Sequence, residues 1–218
     1  MTAGIMSRRR ADASDVPRDL VDHYAVAFRG YLSEPAEFAL VRAYETRAVC
    51  VANTLRCKIP HKKAFFAVLT DPANSAMFSQ TERDVIAASV PWTRLLAAPL
   101  MDVARARRET LVLKPNDEYG GKGVTLGWEA DESSWDAALQ AAASEAPGTW
   151  VIQERIRVRR EVFPQFDTNG DVTMREMLVD LAPYLFRGKM AGYLTRLSAT
   201  GLANVTSGGG QVPSFILD

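Results

Sequence analysis

Cysteine and histidine are nearly missing from this chain: there are two of each in 218 residues, Cys50, Cys57, His23 and His61. Their positions match no metal-ligand spacing, so a zinc site is not expected. The same scarcity argues against mechanisms built on a histidine base or a cysteine nucleophile. Both cysteines are expected in the core or at a reduced, inert surface. Net charge is absent too, since 26 basic residues offset 26 acidic ones. A general nucleic-acid binder would carry a basic excess, and the clusters Arg8-Arg9-Arg10 and Arg157-Val-Arg-Arg160 read as solvated. No apolar run approaches the ~20 residues that cross a bilayer, and the first residues lack the apolar core of a signal peptide. A cytoplasmic location without membrane or nucleic-acid partners is the expectation. Chemistry, if present, falls to lysine, arginine, carboxylate and amide.

What is there is an ordinary globular composition, with 47% hydrophobic and 24% charged residues, enough for one large domain or two small ones. The most informative stretch is Leu111-Val-Leu-Lys-Pro-Asn-Asp-Glu-Tyr-Gly-Gly-Lys-Gly-Val-Thr-Leu-Gly-Trp128. An apolar run ends at Lys114, Pro115 stops it, and Asn116, Asp117, Gly120 and Gly121 are turn formers. Val124, Leu126 and Trp128 then alternate as in a half-buried strand. Gly120, Gly121 and Gly123 let backbone N–H groups approach an anion closely, and Lys114 and Lys122 add positive charge. The stretch reads as a hairpin whose turn covers a nucleotide's phosphates. Other phosphate loops fail on spacing. A P-loop needs Ser or Thr where Gly123 stands, the kinase loop needs its third glycine one residue earlier than Gly127, and a dinucleotide turn opens a helix rather than a strand. A plain glycine-rich hairpin with solvated lysines has the same local sequence.

Along the chain, residues 1–16 are polar and read as frayed. Leu20, Val21, Tyr24, Phe28 and Leu32 predict an amphipathic helix over 18–32, and Phe38, Leu40, Val41 and Tyr44 a second one after Pro35. Residues 49–52 read as a short buried strand. Pro60 opens a helix with Phe65, Phe66 and Leu69 on its apolar face, ended by Asp71-Pro72. Lys62 and Lys63 in its first turn oppose the helix dipole unless an anion lies nearby. Ser79-Gln-Thr-Glu82 is a capping box. Val90-Pro-Trp92 breaks that helix, and Pro99 opens another with Leu100, Val103 and Ala104 inward and Arg105, Arg107 and Arg108 outward. Ser133-Ser-Trp-Asp136 caps a helix carrying Trp135, Ala138, Leu139 and Ala142 on one face. Residues 150–156 form a strand with alternating faces. Residues 161–166 and 172–179 pair across Asn169-Gly170, and further strands are expected over 184–186, 191–197 and 211–217. Helices before residue 110 and strands after it make an α+β chain with largely antiparallel pairing.

Three segments in order carry a family resemblance: Leu113-Lys-Pro…Tyr-Gly-Gly-Lys-Gly-Val124, Val151-Ile-Gln-Glu-Arg-Ile156, and Asp180…Arg196…Asn204…Gly-Gly209. Together they resemble an ATP-grasp domain and are most similar to its circularly permuted, glutathionylspermidine-synthase-like branch. Asn53 with His61-Lys-Lys-Ala-Phe-Phe66 resembles the segment that this branch places before its glycine loop. The resemblance implies two α+β subdomains clasping ATP: a helical leader over 1–48, a first subdomain segment over 49–110, and a glycine-loop and metal-binding subdomain over 111–218. It implies that Lys114, and Lys63 with Lys62 as the alternative, contact the phosphates. Tyr119, Gly120, Gly121, Lys122, Gly123 and Val124 would form the mobile cover. Glu154, with the backbone of Arg155 and Ile156, would hold the adenine, Glu161 the ribose, and Gln153 would belong to the same cofactor-binding set. Asp180 and Asn204 would bind Mg²⁺, with Glu176 in reserve, and Arg196 would stabilise charge on the transferred phosphate. Leu202 stands where many members carry a second acidic metal ligand, a departure from the pattern.

The implied activity is ATP-dependent ligation of a small-molecule carboxylate to an amine through an acyl-phosphate. The alternative is a nucleotide-binding module, or a fragment of a larger ligase, without turnover of its own.

Overall fold

The computed structural model describes residues 5–7, 34–51, 55–166, 169–203 and 210–215. The helix expected over 18–32, Asn53, Asn204 and the glycines 208–209 lie outside the described residues. Two compact units divide the chain, Met1–Lys62 and Lys63–Asp218.

In the first unit, β1 (Ile5–Ser7) pairs antiparallel with β2 (Val49–Val51), Ile5 opposite Val51. The sequence reading of a frayed start misses β1, because a three-residue strand is held by backbone pairing and shows no period of its own. Nor is β2 the buried strand expected, since Cys50 is exposed between half-buried Val49 and Val51. Helix α1 (Glu34–Glu45) forms where the spacing predicts it, with Val41 buried. It ends at Arg47 in the left-handed region, φ 56°, while the Ala48 N–H reaches back to the Ala43 carbonyl at 2.8 Å. Helix α2 (Lys58–His61) contains Pro60 and stops at Lys62, whose backbone is extended. The single helix expected from Pro60 is therefore two pieces, and Cys57 beside α2 is exposed.

The second unit opens with α3 (Ala64–Thr70) and then α4 (Gln80–Ser89). Ser79 and Glu82 form the expected capping box, the Ser79 hydroxyl accepting from the Glu82 N–H and the Glu82 carboxylate from the Ser79 N–H. Next come β3 (Thr93–Leu95), α5 (Met101–Ala106), β4 (Leu111–Pro115), β5 (Thr125–Leu126), α6 (Glu132–Ala143) and β6 (Trp150–Glu154). The four strands make an antiparallel sheet in the order β3-β6-β4-β5. One face, with Leu111, Leu113 and Ile152, packs on Ala104 of α5 and Trp135, Leu139 and Ala142 of α6. Full burial of each large apolar side chain there contributes roughly 1.5–3 kcal/mol. Trp135 donates its indole N–H to the Ala104 carbonyl at 3.0 Å, joining the two helices.

Five local expectations change. The hairpin's return strand is only Thr125–Leu126, so Val124 and Trp128 lie outside it. Directly after it, a Cβ at Gly127 would stand 2.0 Å from the Arg108 carbonyl oxygen, so only glycine fits. Arg108 does not point outward as read: its guanidinium donates to the carbonyls of Gly127 and Ala130 in the turn after β5. Val103, read as inward, is 41% exposed. The cap of α6 is Asp131, accepting from the Ser134 N–H at 2.7 Å and the Ser133 hydroxyl at 2.8 Å, rather than the run Ser133 to Asp136. Finally, β6 ends at Glu154, and Val151 and Ile152 are both buried although they face opposite sides.

The second sheet is antiparallel in the order β10-β9-β8-β7, from β7 (Arg160–Phe166), β8 (Val172–Phe186), β9 (Lys189–Ser198) and β10 (Gly210–Val212). Phe166 stands opposite Val172, so β7 and β8 pair across the expected connection. Where two strands were read, β8 is one, running through Pro183. Pairing with β7 covers only Val172 to Leu178, so among the described residues Pro183 lies where β8 has β9 on one side alone, and its missing N–H faces the other side. The β8–β9 turn is Arg187-Gly188, φ 51° and 75°, a two-residue reversal hidden in sequence because arginine rarely adopts positive φ. The class is α+β with antiparallel sheets.

Candidate functional site

The first sheet's two faces differ in chemistry. Opposite the apolar core, cross-strand register places Val112 beside Gln153, Lys114 beside Val151 and Thr93 beside Gln153. Thr93 and Gln153 are 0% and 6% exposed, so their polar groups need partners inside the protein. The Thr93 hydroxyl donates to the Pro91 carbonyl at 2.9 Å and accepts from Gln153 Nε2 at 2.9 Å. That donor assignment turns Gln153 Oε1 towards Lys114, whose ammonium donates to it at 2.7 Å. A buried relay thus holds the Lys114 head at a defined point above the strand.

Lys114 is half-buried, and burial pushes its ammonium below the ordinary lysine value of 10.5; the charge of Lys63 pushes the same way. Lys63 stands at the N-cap position of α3. Its side chain donates to the Glu118 carbonyl at 2.6 Å, and its N–H donates to the Asn116 carbonyl at 3.1 Å. The cation at a helix start, costly in the sequence reading, is met by a loop carbonyl. The loop that supplies it carries Gly120, Gly121 and Gly123 at φ 67°, 77° and 67°. Lys122 N–H donates to the Tyr119 carbonyl at 3.4 Å, Val124 N–H donates to the Gly121 carbonyl at 3.3 Å, and the Lys122 ammonium lies 5.1 Å from the Tyr119 ring centre. A Cβ on Gly123 would stand 2.7 Å from Pro115, so the loop folds back onto the residue beside Lys114. Two lysines and a glycine turn with left-handed backbone converge here, the elements of an anion cradle.

At the other end of β6, the Glu154 carboxylate pairs with Arg107 at 3.0 Å. Arg107 and Arg94 each approach the Trp92 ring, at 5.3 and 5.1 Å from its centre. Trp92 and Glu154 line a cavity of about 370 Å³ with Thr70, Asp71 and Arg83, a volume in the range of small-ligand sites. The backbone offered by the sequence reading is partly engaged: the Arg155 N–H donates to the Thr110 carbonyl at 2.8 Å, so it is not free for a base. The Arg155 guanidinium sits 4.2 Å from the Trp128 ring centre, and Ile156 is exposed.

The remaining candidates lie on the second sheet. Glu161 pairs with Arg159 at 2.7 Å. Asp180 and Arg196 face each other across β8 and β9, and Arg196 Nε and Nη2 both reach Asp180 Oδ2, at 2.7 and 2.6 Å. Beyond β9, a Cβ on Gly201 would stand 2.5 Å from Glu129 and 2.7 Å from Leu126, so this segment packs against the turn of the first sheet. Among the described residues no three His, Cys, Asp or Glu side chains gather as a metal cage. Asp180 keeps Oδ1 as a hard oxygen, which suits Mg²⁺ held mainly by phosphate and water.

Lys63, Lys114, Gln153 and the glycine loop are thus brought together, as are Asp180 and Arg196. Sequence reasoning missed Thr93, which sits on an unrecognised strand, Asn116, read only as a turn former, and Arg107, read as a solvated helix charge. The Asn directly after Lys114-Pro115 was the one available signal.

No protein-family model matches the chain. A curated protein of Frankia casuarinae, provisionally named glutamate–cysteine ligase 2-2, is 24% identical over 193 residues, which are 86% of this chain and 21% of that protein. The chain spans about a fifth of the length of this relative.

Proposed function

We propose that this chain is the nucleotide-holding part of an ATP-dependent carboxylate–amine ligase with an ATP-grasp arrangement, of the glutathionylspermidine-synthase-like kind. The observation that carries this reading is the convergence of Lys63 and Lys114 beneath the Gly120–Gly123 turn, on the polar face of the first sheet. Likeness to a protein named as a ligase supports the class of reaction.

ATP supplies a phosphoryl group that turns a carboxylate into an acyl-phosphate, and attack by an amine forms the amide bond with release of ADP and phosphate. The chain's part is positioning and charge neutralisation. Lys114, oriented by Gln153 and Thr93, and Lys63 neutralise phosphate charge, and the loop amides close over it. Glu154 offers its carboxylate to an exocyclic amine, held in place by Arg107. Arg196 stabilises charge on the transferred group; Asp180 and Asn204 are the residues that would hold Mg²⁺, which would supply charge shielding for the phosphates. Glu161 lies at the ribose end.

A second reading, a module that binds nucleotide without turnover, is favoured by the pairing of Asp180 Oδ2 with Arg196, which sets the two charges against each other. Calorimetry with MgATP separates the assignments. Lys114→Ala should weaken binding about 10- to 100-fold, the loss of one charge-assisted hydrogen bond. Lys122→Ala, on an exposed turn, should cost under about fivefold. Equal losses would contradict the site. ADP release that depends on both an added carboxylate and an added amine favours the ligase; tight binding with no turnover favours the module.

A further inference from the structure

Asn116 uses all of its polar groups on two distant segments. Its backbone carbonyl accepts from the Lys63 N–H at 3.1 Å, and its side-chain Oδ1 accepts from the Ala64 N–H at 2.8 Å. Its backbone N–H donates to the Thr149 carbonyl at 2.7 Å, and its Nδ2 donates to the Gly148 carbonyl at 2.9 Å. Main chain and side chain each make one bond in each direction. The Oδ1 bond also satisfies an amide that the first turn of α3 leaves without a partner in the helix. Only a short side chain with both an acceptor and a donor can do this: aspartate lacks the donor, and alanine lacks both.

The two segments matter because of what they carry. Lys63 precedes α3, and Lys114 lies two residues before Asn116 on β4. Gly148 and Thr149 lead into β6, which bears Gln153, the partner of Lys114. We infer that Asn116 is a positioning residue that fixes Lys63 beside Lys114 and so sets the spacing of the anion cradle. The inference concerns the distance between the two lysines, and its importance for nucleotide binding rests on the function proposed above. The mutual repulsion of the two ammonium groups follows from that enforced spacing.

The test reads Lys114 directly, by NMR titration of ¹³C-methylated lysines without nucleotide, in wild type, Asn116→Ala and Asn116→Asp. With the clamp released, Lys63 swings away and the Lys114 titration moves up towards 10.5. Asn116→Asp, which adds a nearby negative charge, moves it further. A purely structural asparagine would lower the melting temperature and leave this titration in place, and that result in a folded variant overturns the inference. Should Asn116→Ala not fold, hydrogen exchange on the wild type decides: the Ala64 amide must exchange more slowly than that of Phe65, and equal rates overturn the clamp. MgATP calorimetry on the same proteins keeps the two readings apart. A moved titration with no ATP binding in the wild type rejects the nucleotide site and leaves the clamp standing. An unmoved titration with normal ATP binding does the reverse.

Discussion

Lys114 has an unusual balance of costs, and its titration exposes it. Burial and the neighbouring Lys63 both disfavour its charged form, so its folded pKa lies below 10.5. Between the folded and unfolded values the unfolded chain binds more protons, and stability must therefore rise with pH in that window. Below the window both states are protonated and the penalty stands in full. The slope from this one proton is at most about 1.4 kcal/mol per pH unit. Chemical denaturation from neutral to alkaline pH should show this rise in the wild type and lose it in Lys114→Met; an unchanged slope would refute the assignment. The two lysines were legible in the sequence because one ends an apolar run before the glycines and the other sits where a helix start disfavours it. Thr93 and Asn116 were not, since their roles are side-chain bonds to Gln153 and Ala64, which are 60 and 52 positions away.

Helices and strands differ in how openly they announced themselves. Ser79 and Glu82 cap each other within one turn, so local sequence sufficed for α4. At α6 the run Ser133 to Asp136 drew the reading, while Asp131 accepts both the Ser134 N–H and the Ser133 hydroxyl. Asp131→Ala should cost about 1 kcal/mol in thermal or urea unfolding, and Ser133→Ala under about 0.5 kcal/mol. The reverse order would restore the serine cap. Strand β3 could not be seen at all: Thr93, Arg94 and Leu95 have no alternation to detect, and only pairing with β6 makes them a strand. The long β8 was split in the reading because proline normally ends a strand, and nothing local says that among the described residues one side of β8 has no neighbour at that point.

For the second unit as a body, the two sheets contrast in burial. Leu111, Leu113, Val151 and Ile152 of the first sheet are each 0–1% exposed, whereas Val162, Phe166, Met174, Leu185 and Phe186 of the second are 60–68% exposed. Native-state hydrogen exchange should therefore be slowest for the amides of β4 and β6 and much faster along β7 and the far half of β8. Uniform protection across both sheets would contradict this. The α+β class and the antiparallel pairing were readable from composition shifts and turn residues, whereas this gradient was not, because Val162 and Phe166 look as core-like in sequence as Val151 and Ile152. The proline in β8 has a consequence for crowded solutions. The far part of that strand shows Tyr184, Leu185 and Phe186 next to an edge that no described residue pairs, the combination that invites a second chain to add on and grow into fibres. At Pro183 an incoming strand finds no N–H to bond, so the ladder is interrupted where its stickiest side chains begin.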